Sequence, residues 1–380
     1  MLDLSFYKDK KVLVTGHTGF KGSWMCKVLE MSGAEVVGYS LTPPTSPSLF
    51  EISGVNNSEN IKTIIGDIRD LSKLMKVFDD FQPEIVIHMA AQPIVLESYR
   101  DPVGTYDTNV MGTVNILECV RSHPSVKSFV NVTTDKVYLN REWERGYVES
   151  DELNGYDPYS NSKSCSELVT SSYRNSFFGG DTGMRRDGSG YVAITTMRAG
   201  NVIGGGDFAA NRIIPDCIRA VESGETILVR NPYSTRPYQH VLEPVMAYLM
   251  VAARQYEDIS LAGNYNVGPN DDGCYTTGNI VDLFCNSWNK MAESSSNRFN
   301  KASWENKAEL NAPHEANFLK LDCAKIKSTF GWSPRWNLET AMEKIVEWSE
   351  LYLGGKPDTK EISNCMINQI KDYLDDVAFK

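Results

Sequence analysis

A glycine-spaced loop directly after the first β-branched run constrains this chain most. Residues 11–16 (KVLVTG) read as a short strand closed by glycine. Gly16-His17-Thr18-Gly19-Phe20-Lys21-Gly22 follows, and Trp24, Val28 and Leu29 then recur at helical spacing. Strand, glycine loop and helix in that order make a cradle for a dinucleotide pyrophosphate. Gly16 permits the tight turn, Gly19 lets the anion approach the backbone, and Gly22 lets helix and strand pack closely. The helix start adds free amides and the positive end of its dipole. A glycine triplet elsewhere would mean only a turn; here the context makes dinucleotide binding the expectation.

The rest of the first 200 residues repeats the alternation. Residues 34–40 (AEVVGYS), 61–68 (IKTIIGDI), 83–91 (PEIVIHMAA), 128–134 and 191–200 (YVAITTMRAG) read as strands, and 105–121 and 157–178 as helices. Near-continuously apolar strands separated by helices predict an α/β fold, a Rossmann-type doubly wound parallel sheet holding its ligand at the strands' carboxyl ends. After residue 200 the pattern loosens. Residues 204–207 (GGGD) form a turn and 211–223 a helix, while 242–256 suit a sheet-covering helix and 264–268 another strand. The chain is long enough for two domains. We therefore expect a dinucleotide-binding domain from residues 1–200 plus about 241–268, and a smaller, discontinuous α/β substrate domain from about 201–240 plus 269–380. The stretch 179–190 (GGDTGMRRDGSG) reads as a flexible loop, and 294–303 as another loop.

Charge and cysteine content narrow the partners. A net charge of −11 excludes a broad nucleic-acid-binding face. No apolar run is long enough to span a membrane, and the start lacks the apolar core of a signal peptide. The eight cysteines are scattered with no CxxC spacing, which predicts reduced thiols, no zinc or other metal site and a cytoplasmic protein.

Cofactor choice is less legible. The second strand ends Gly38-Tyr39-Ser40-Leu41-Thr42, without the acid that usually holds an adenosine ribose. The residues therefore leave NAD and NADP both open, and Lys21 is a candidate for a 2′-phosphate. Asp67, in Gly66-Asp67-Ile68, suits an adenine contact; its alternative is an N-cap for the helix starting near Leu71.

A second constellation carries chemistry. Thr133-Thr134-Asp135-Lys136 ends a strand and so faces the ligand crevice. Tyr159 and Lys163 lie four apart at a helix start and share one face. A cation beside a phenol favours the phenolate, so we expect Lys163 to lower the Tyr159 pKa and make it a base toward an alcohol. Tyr-x-x-x-Lys is common as a surface pair; with the glycine loop and a strand-end Thr it is specific.

With these motifs the sequence resembles the extended short-chain dehydrogenase/reductase family, and within it the NAD-dependent epimerases and dehydratases. TGHTGFKG, GDI, HMAAQ, DTNVMGT, TTDKVY, YSNSK and RAGNVIGGGD fall in family order over nearly the whole chain. More narrowly it is similar to the CDP-glucose 4,6-dehydratases through GYSLTPPTSPSLFE, TTDKVYLNREWERGY, DPYSNSKSCSEL, RIIPDCIRA, RNPYSTRPYQHVLEP and HEANFLKLD. The resemblance implies tightly held NAD, a CDP-sugar substrate and a homodimer formed by helices 105–121 and 157–178. It implies a lyase that oxidises C4 of the sugar, eliminates water across C5 and C6 and returns hydride to C6. In that scheme Thr134, Tyr159 and Lys163 serve the oxidation. Asp135 protonates the departing oxygen and Lys136 takes the C5 proton, a role that relatives give to Glu.

Cofactor contacts are implied at Gly16–Gly22, Ser40, Asp67, Ile68, Ala90, Ala91, Gln92, Asn109, Thr133, Tyr159 and Lys163. Substrate contacts are implied at Asn201, Arg212, Arg236, His240 and Glu315, with Arg230 a weaker candidate. Trp143, Tyr147 and Tyr156 read as core. Two departures bear on specificity: Leu96-Glu97 replaces an expected basic residue, and Tyr238 an expected Trp. Two other readings stay open, a dehydratase or epimerase for another nucleotide sugar, and a silent cofactor-sensing protein. The second usually loses the Tyr or the Lys, and both are present.

Overall fold

The six apolar runs before residue 200 become β1 (Lys11–Thr15), β2 (Glu35–Ser40), β3 (Ile61–Ile65), β4 (Ile85–His88), β5 (Ser128–Thr134) and β6 (Ala193–Ala199). Four short strands follow: β7 (Asn201–Ile203), β8 (Ile227–Val229), β9 (Thr235–Arg236) and β10 (Tyr238–His240). Last come β11 (Asn264–Val267), β12 (Tyr275–Thr276) and β13 (Trp304–Asn306). This computed structural model describes residues 3–270, 274–307, 318–355 and 357–376; Glu315 and its neighbour His314 lie outside the described residues.

The central sheet has the order β11-β6-β5-β4-β1-β2-β3, and every pairing in it is parallel. The chain therefore leaves β1 in one direction toward β3 and returns through β4 in the other. That reversal opens a crevice at the carboxyl ends of β1 and β4. Alternation along the strands feeds two cores. Val12, Val14, Ile85, Ile87 and Val130 pack with the helices Phe20–Ser32 and Leu242–Glu257. Leu13, Val37, Val86 and Phe129 pack with Leu74, Phe78, Ile116 and Val120 on the opposite face. The Leu242–Glu257 helix is apolar on nearly every side and buried along nearly its whole length, which a helix tolerates only when sandwiched between layers. A third core joins Ile214, Ile280, Phe284, Trp288, Met342 and Ile345, beyond the sheet's first six strands.

Two sequence expectations change. The helix expected over 105–121 is interrupted: Pro102–Tyr106 is α-helical, Asp107–Met111 makes one π turn, and Gly112–Ser122 resumes the α-helix. Such turns gather at functional sites. Here the turn carries Asn109, whose side chain is engaged by the main chain of Gln92. The stretch 179–190, expected to be flexible, is pinned by Arg185. Its guanidinium is buried and donates to the carbonyls of Val120, Arg121, His123 and Val126. Those include carbonyls left open at the end of the Gly112–Ser122 helix. All eight cysteines are free, and no helix among the described residues is long and apolar enough to cross a membrane.

Candidate active site

The glycine loop closes because two positions, Gly16 and Gly22, lack a side chain. Gly16 has φ +77°, and a Cβ there would lie 2.8 Å from the Ala90 nitrogen. A Cβ on Gly22 would lie 2.3 Å from the Gly16 carbonyl oxygen. Gly19 differs: its Cβ would make one ordinary contact, at 3.5 Å, so the space above it is open. Gly19 also starts the Phe20–Ser32 helix with no side chain capping it. Open space over bare helix-start amides suits a pyrophosphate, so the loop fits a dinucleotide.

The neighbouring strand ends are tied to this loop. Thr15 Oγ1 accepts from the main-chain amides of Met89 and Ala90, each at 3.1 Å, and so fixes the start of Ala90-Ala91-Gln92. Asn109 Oδ1 accepts from the Gln92 amide at 2.8 Å while its Nδ2 donates to the Gln92 carbonyl and to Ser162. Thr18 Oγ1 lies 2.9 Å from Ser40 Oγ and donates to the Leu41 carbonyl. The His17 ring covers Gly38 of β2, and its Nε2 lies 3.2 Å from Thr63 Oγ1. Burial pulls His17 down to about 4, so its ring is neutral at pH 7. The Phe20 ring turns toward Gly204, in the turn after β7. Asp67 pairs with Arg69 through both carboxylate oxygens. The helix cap is Asp70, which accepts from the Lys73 amide, so Asp67 is not an N-cap. Ile68 is buried against Gly112, and its carbonyl accepts from Asn115.

Lys21 corrects the sequence reading. Its ammonium lies 3.5 Å from the Tyr248 hydroxyl, with Arg212, Lys163 and Asp135 as its charged neighbours. These contacts lie with the Leu242–Glu257 helix and the group at the end of β5, and they give no support to a 2′-phosphate contact at the end of β2. Burial, then Arg212 and Lys163, push it down to about 7.

The second constellation converges at the end of β5. Thr134 Oγ1 donates to Asp135 Oδ1 at 2.8 Å and is also hydrogen-bonded to the Tyr159 hydroxyl. Lys136 Nζ bridges Asp135 Oδ1 and Asn201 Oδ1, at 3.2 Å to each. Asp135 is wholly buried, and its Oδ2 has no hydrogen-bond partner among the described residues. Asp157 caps the Pro158–Phe177 helix through the Ser160 amide, which sets Tyr159 in its first turn and Lys163 one turn on. Lys163 Nζ donates to the Val132 carbonyl at 3.0 Å, and burial lowers it to about 8. Tyr159 departs from expectation. Burial pushes its phenol up to about 12, with the Thr134 hydrogen bond acting the other way. The Lys163 ammonium is directed at β5, so desolvation of the phenol outweighs it.

The expected substrate residues divide. Asn201 joins the site through Lys136, and Arg212 through its proximity to Lys21 and Tyr159 while it pairs with Asp207 at 3.0 Å. Arg236 is buried on β9, its Nη1 donating to the Thr235 carbonyl. Arg230 pairs with Asn211 and Asp216 and is half exposed. His240 does not join them: its ring is buried between Trp24 and Trp336, and its Nδ1 accepts from the Leu242 amide. It is a core residue, because β10 turns that position inward. Glu97, the unexpected acid, lies 3.4 Å from Arg100 on its own helix. Tyr147 is core and stacks on Trp143, but Trp143 and Tyr156 are themselves exposed rather than core.

Two residues near this group escaped the sequence reading. Glu167 continues the Tyr159, Lys163 spacing by one more turn, a signal that was available. Tyr248 comes from the Leu242–Glu257 helix and gave none, because a Tyr in an apolar helix reads as core.

Comparison with known proteins decides the family. The model of the family described as GDP-mannose 4,6 dehydratase matches residues 13–345. The chain belongs to the GDP-mannose 4,6-dehydratase family. A CDP-glucose 4,6-dehydratase of Salmonella typhimurium is 47% identical over 98% of this chain and 99% of its own. A dTDP-glucose 4,6-dehydratase of Haemophilus influenzae is 24% identical over 89% of this chain and 97% of its own. Among solved structures, the dTDP-glucose 4,6-dehydratase of Bacillus anthracis in complex with NAD superposes with TM-score 0.70 at 20% identity, covering 90% of this chain and 96% of that one. The Thermus thermophilus UDP-glucose 4-epimerase complex with NAD gives 0.71 at 23%, covering 90% and 99%. These two likenesses extend the family's fold, a seven-stranded parallel sheet, to both dehydratases and epimerases.

Proposed function

We propose that this protein is a nucleotide-sugar 4,6-dehydratase that converts CDP-glucose to CDP-4-keto-6-deoxyglucose and water. The observation that carries the reading is the group at the end of β5. An epimerase needs a base for the alcohol, which Tyr159 beside Thr134 can supply. It has no use for a buried carboxylate with one oxygen unpartnered among the described residues, ion-paired to a lysine, at the same strand end. Elimination of water needs an acid and a base, and Asp135 with Lys136 offers both. The 47% identity to a CDP-glucose 4,6-dehydratase supports the same substrate.

Gly16–Gly22, Ser40, Asp67, Ile68 and the Ala90–Gln92 segment hold NAD in this reading, together with Asn109, Thr133, Tyr159 and Lys163. When bound, NAD supplies the acceptor for the C4 hydride and later the donor to C6. Tyr159 takes the proton of the C4 hydroxyl as its phenolate, a form that burial disfavours and that the positive charge of oxidised nicotinamide would favour once NAD is bound, with Thr134 as its hydrogen-bond partner. The ketone so formed acidifies C5, and Lys136 removes that proton while Asp135 protonates the departing C6 oxygen; Lys136 then returns the proton to C5 as hydride is delivered to C6. Asn201, Arg212 and Arg236 take the diphosphate, Arg236 through its planar guanidinium. Residues 1–200 with about 241–268 hold the dinucleotide, and 201–240 with 269–380 the sugar nucleotide.

We further infer a cytoplasmic homodimer. Val103, Met111 and Leu168 stand exposed on the adjoining segments 102–122 and 158–177, which Tyr106 and Asn161 join at 2.9 Å. An apolar surface of this kind calls for a partner, and a second copy offers a matching one.

The deciding experiment incubates the protein with CDP-, UDP-, GDP- and dTDP-glucose and weighs the products. Loss of water from CDP-glucose is the expected result. A product of unchanged mass would indicate an epimerase, and loss of water from another sugar alone would reassign the nucleotide.

A further inference from the structure

Glu167 lies one turn beyond Lys163 on the Pro158–Phe177 helix and is buried. Its Oε1 accepts a short hydrogen bond from Thr133 Oγ1. Its Oε2 accepts from Thr196 Oγ1 at 2.7 Å and from Arg198 Nη2 at 2.9 Å. Arg198, on β6, is equally buried; its Nη1 donates to the Tyr138 hydroxyl and the Glu149 carbonyl. A buried ion pair is weak support for stability, because removing two charges from water costs about as much as their attraction returns. The distribution of these contacts is more telling. Thr133 precedes Thr134, Lys163 is one turn back along the helix, and Tyr138 ends the turn that carries Asp135 and Lys136.

We propose that Glu167 is a positioning residue of the reaction: its carboxylate keeps the Lys163 ammonium charged and fixes the strand end that presents Thr134. The inference rests on the roles given above to Tyr159 and Lys163. Lys163 faces Tyr159 and Glu167 on its own helix, His88 on β4 and Lys21 on the Phe20–Ser32 helix. Burial holds His88 down at about 3, so it is neutral. Lys21 repels an ammonium, and Tyr159 as a phenol is uncharged. Glu167 is therefore the anion among these neighbours, and it opposes the desolvation that lowers Lys163. Thr133 holds one oxygen of the Glu167 carboxylate and Thr196 with Arg198 the other, so the carboxylate cannot swing off.

The test is the pH profile of turnover with CDP-glucose, followed from about pH 6 to pH 10. Parent protein is compared with Glu167→Gln and with Glu167→Gln/Arg198→Met. The double variant is needed because the single one strands Arg198 in the interior without a counter-charge. Activity falls at high pH as Lys163 loses its proton. In Glu167→Gln that alkaline limb should move down by about one pH unit or more, the size expected when a nearby opposite charge is removed, and in the double variant it should move down by less, because a more distant cation is removed as well. A structural role would lower turnover at every pH and leave the limb in place. An unmoved limb in a folded variant overturns the proposal. So does loss of fold in both variants by circular dichroism, which would assign the pair to stability. Tyr159→Phe, assayed alongside, separates the two readings: parent-like turnover there removes the role of Tyr159 itself, whatever Glu167 does.

Discussion

Asp135 and Lys136 are adjacent in sequence and meet again through their side chains, carboxylate to ammonium at 3.2 Å. The pair holds one proton between two basic atoms. When it moves from Lys136 to Asp135, a charged pair becomes a neutral acid and a neutral amine with no proton taken from solvent. Those are the forms that elimination of water needs.

Asp135→Asn keeps the shape but has no proton to give. Oxidation at C4 should continue, so absorbance of reduced nicotinamide builds up while the dehydrated product slows by about 10²–10⁴-fold. Lys136→Met should slow it similarly and also stop exchange of the C5 hydrogen with deuterated solvent. Unimpaired dehydration by Asp135→Asn would move the acid to another group.

Tyr159→Phe removes the group that receives the alcohol proton. Turnover should fall by about 10²–10⁴-fold with no build-up of reduced nicotinamide on mixing with substrate. Turnover within threefold of the parent, with the fold intact, would end this assignment.

How much of this was legible beforehand depends on where each residue's partners lie. Gly16, Tyr159 and Lys163 were readable because their spacing is local and the elements around them follow from short-range periodicity. The partners of Asp135 on both sides, Thr134 and Lys136, were readable as neighbours. Its free Oδ2 was not, since burial is a property of the whole crevice. The Tyr159 pKa went the other way for the same reason: the motif gives the cation, and only the fold gives the desolvation. His240 looked like a ligand contact in a family string, yet Trp24 and Trp336 arrive from distant segments to enclose it. Arg185 sat in a glycine-rich stretch whose composition hides the four carbonyls waiting for it.

Arg185→Ala should release the 179–190 stretch. Four hydrogen bonds from a charged group vanish and the helix-end carbonyls lose their partner, a loss of roughly 2–4 kcal/mol. Limited proteolysis should then cut between Gly179 and Gly190. Resistance equal to the parent's would show that other contacts hold the loop.

Glu243 should make stability depend on pH in one direction. Its carboxylate accepts from the Arg335 and Trp336 amides and from the Tyr373 hydroxyl, yet burial pushes it up to about 7. An unfolded glutamate titrates near 4.3. Between those values the folded protein holds a proton that the unfolded chain has lost, so stability drains away as pH rises through the window, by on the order of 3 kcal/mol. Glu243→Gln lacks that titration. Urea denaturation of the two proteins from about pH 4.5 to pH 8 should show the parent losing ground to the variant. Parallel curves would refute the shift.

Leu168→Glu should give a monomer by light scattering at micromolar concentration, while the parent gives a dimer. A parent that is monomeric would rule out the proposed pairing of these helices.

The edge strand β11 carries a consequence for how such proteins can be recombined. It hydrogen-bonds to β6 but is delivered only after the chain has left the sheet and returned through the Leu242–Glu257 helix. A cassette that exchanged everything after residue 200 between relatives would carry away both the last strand and the helix that covers the sheet. A viable chimera needs three crossovers, one near residue 200 and one on each side of that returning segment, so the two parts cannot be shuffled by a single cut.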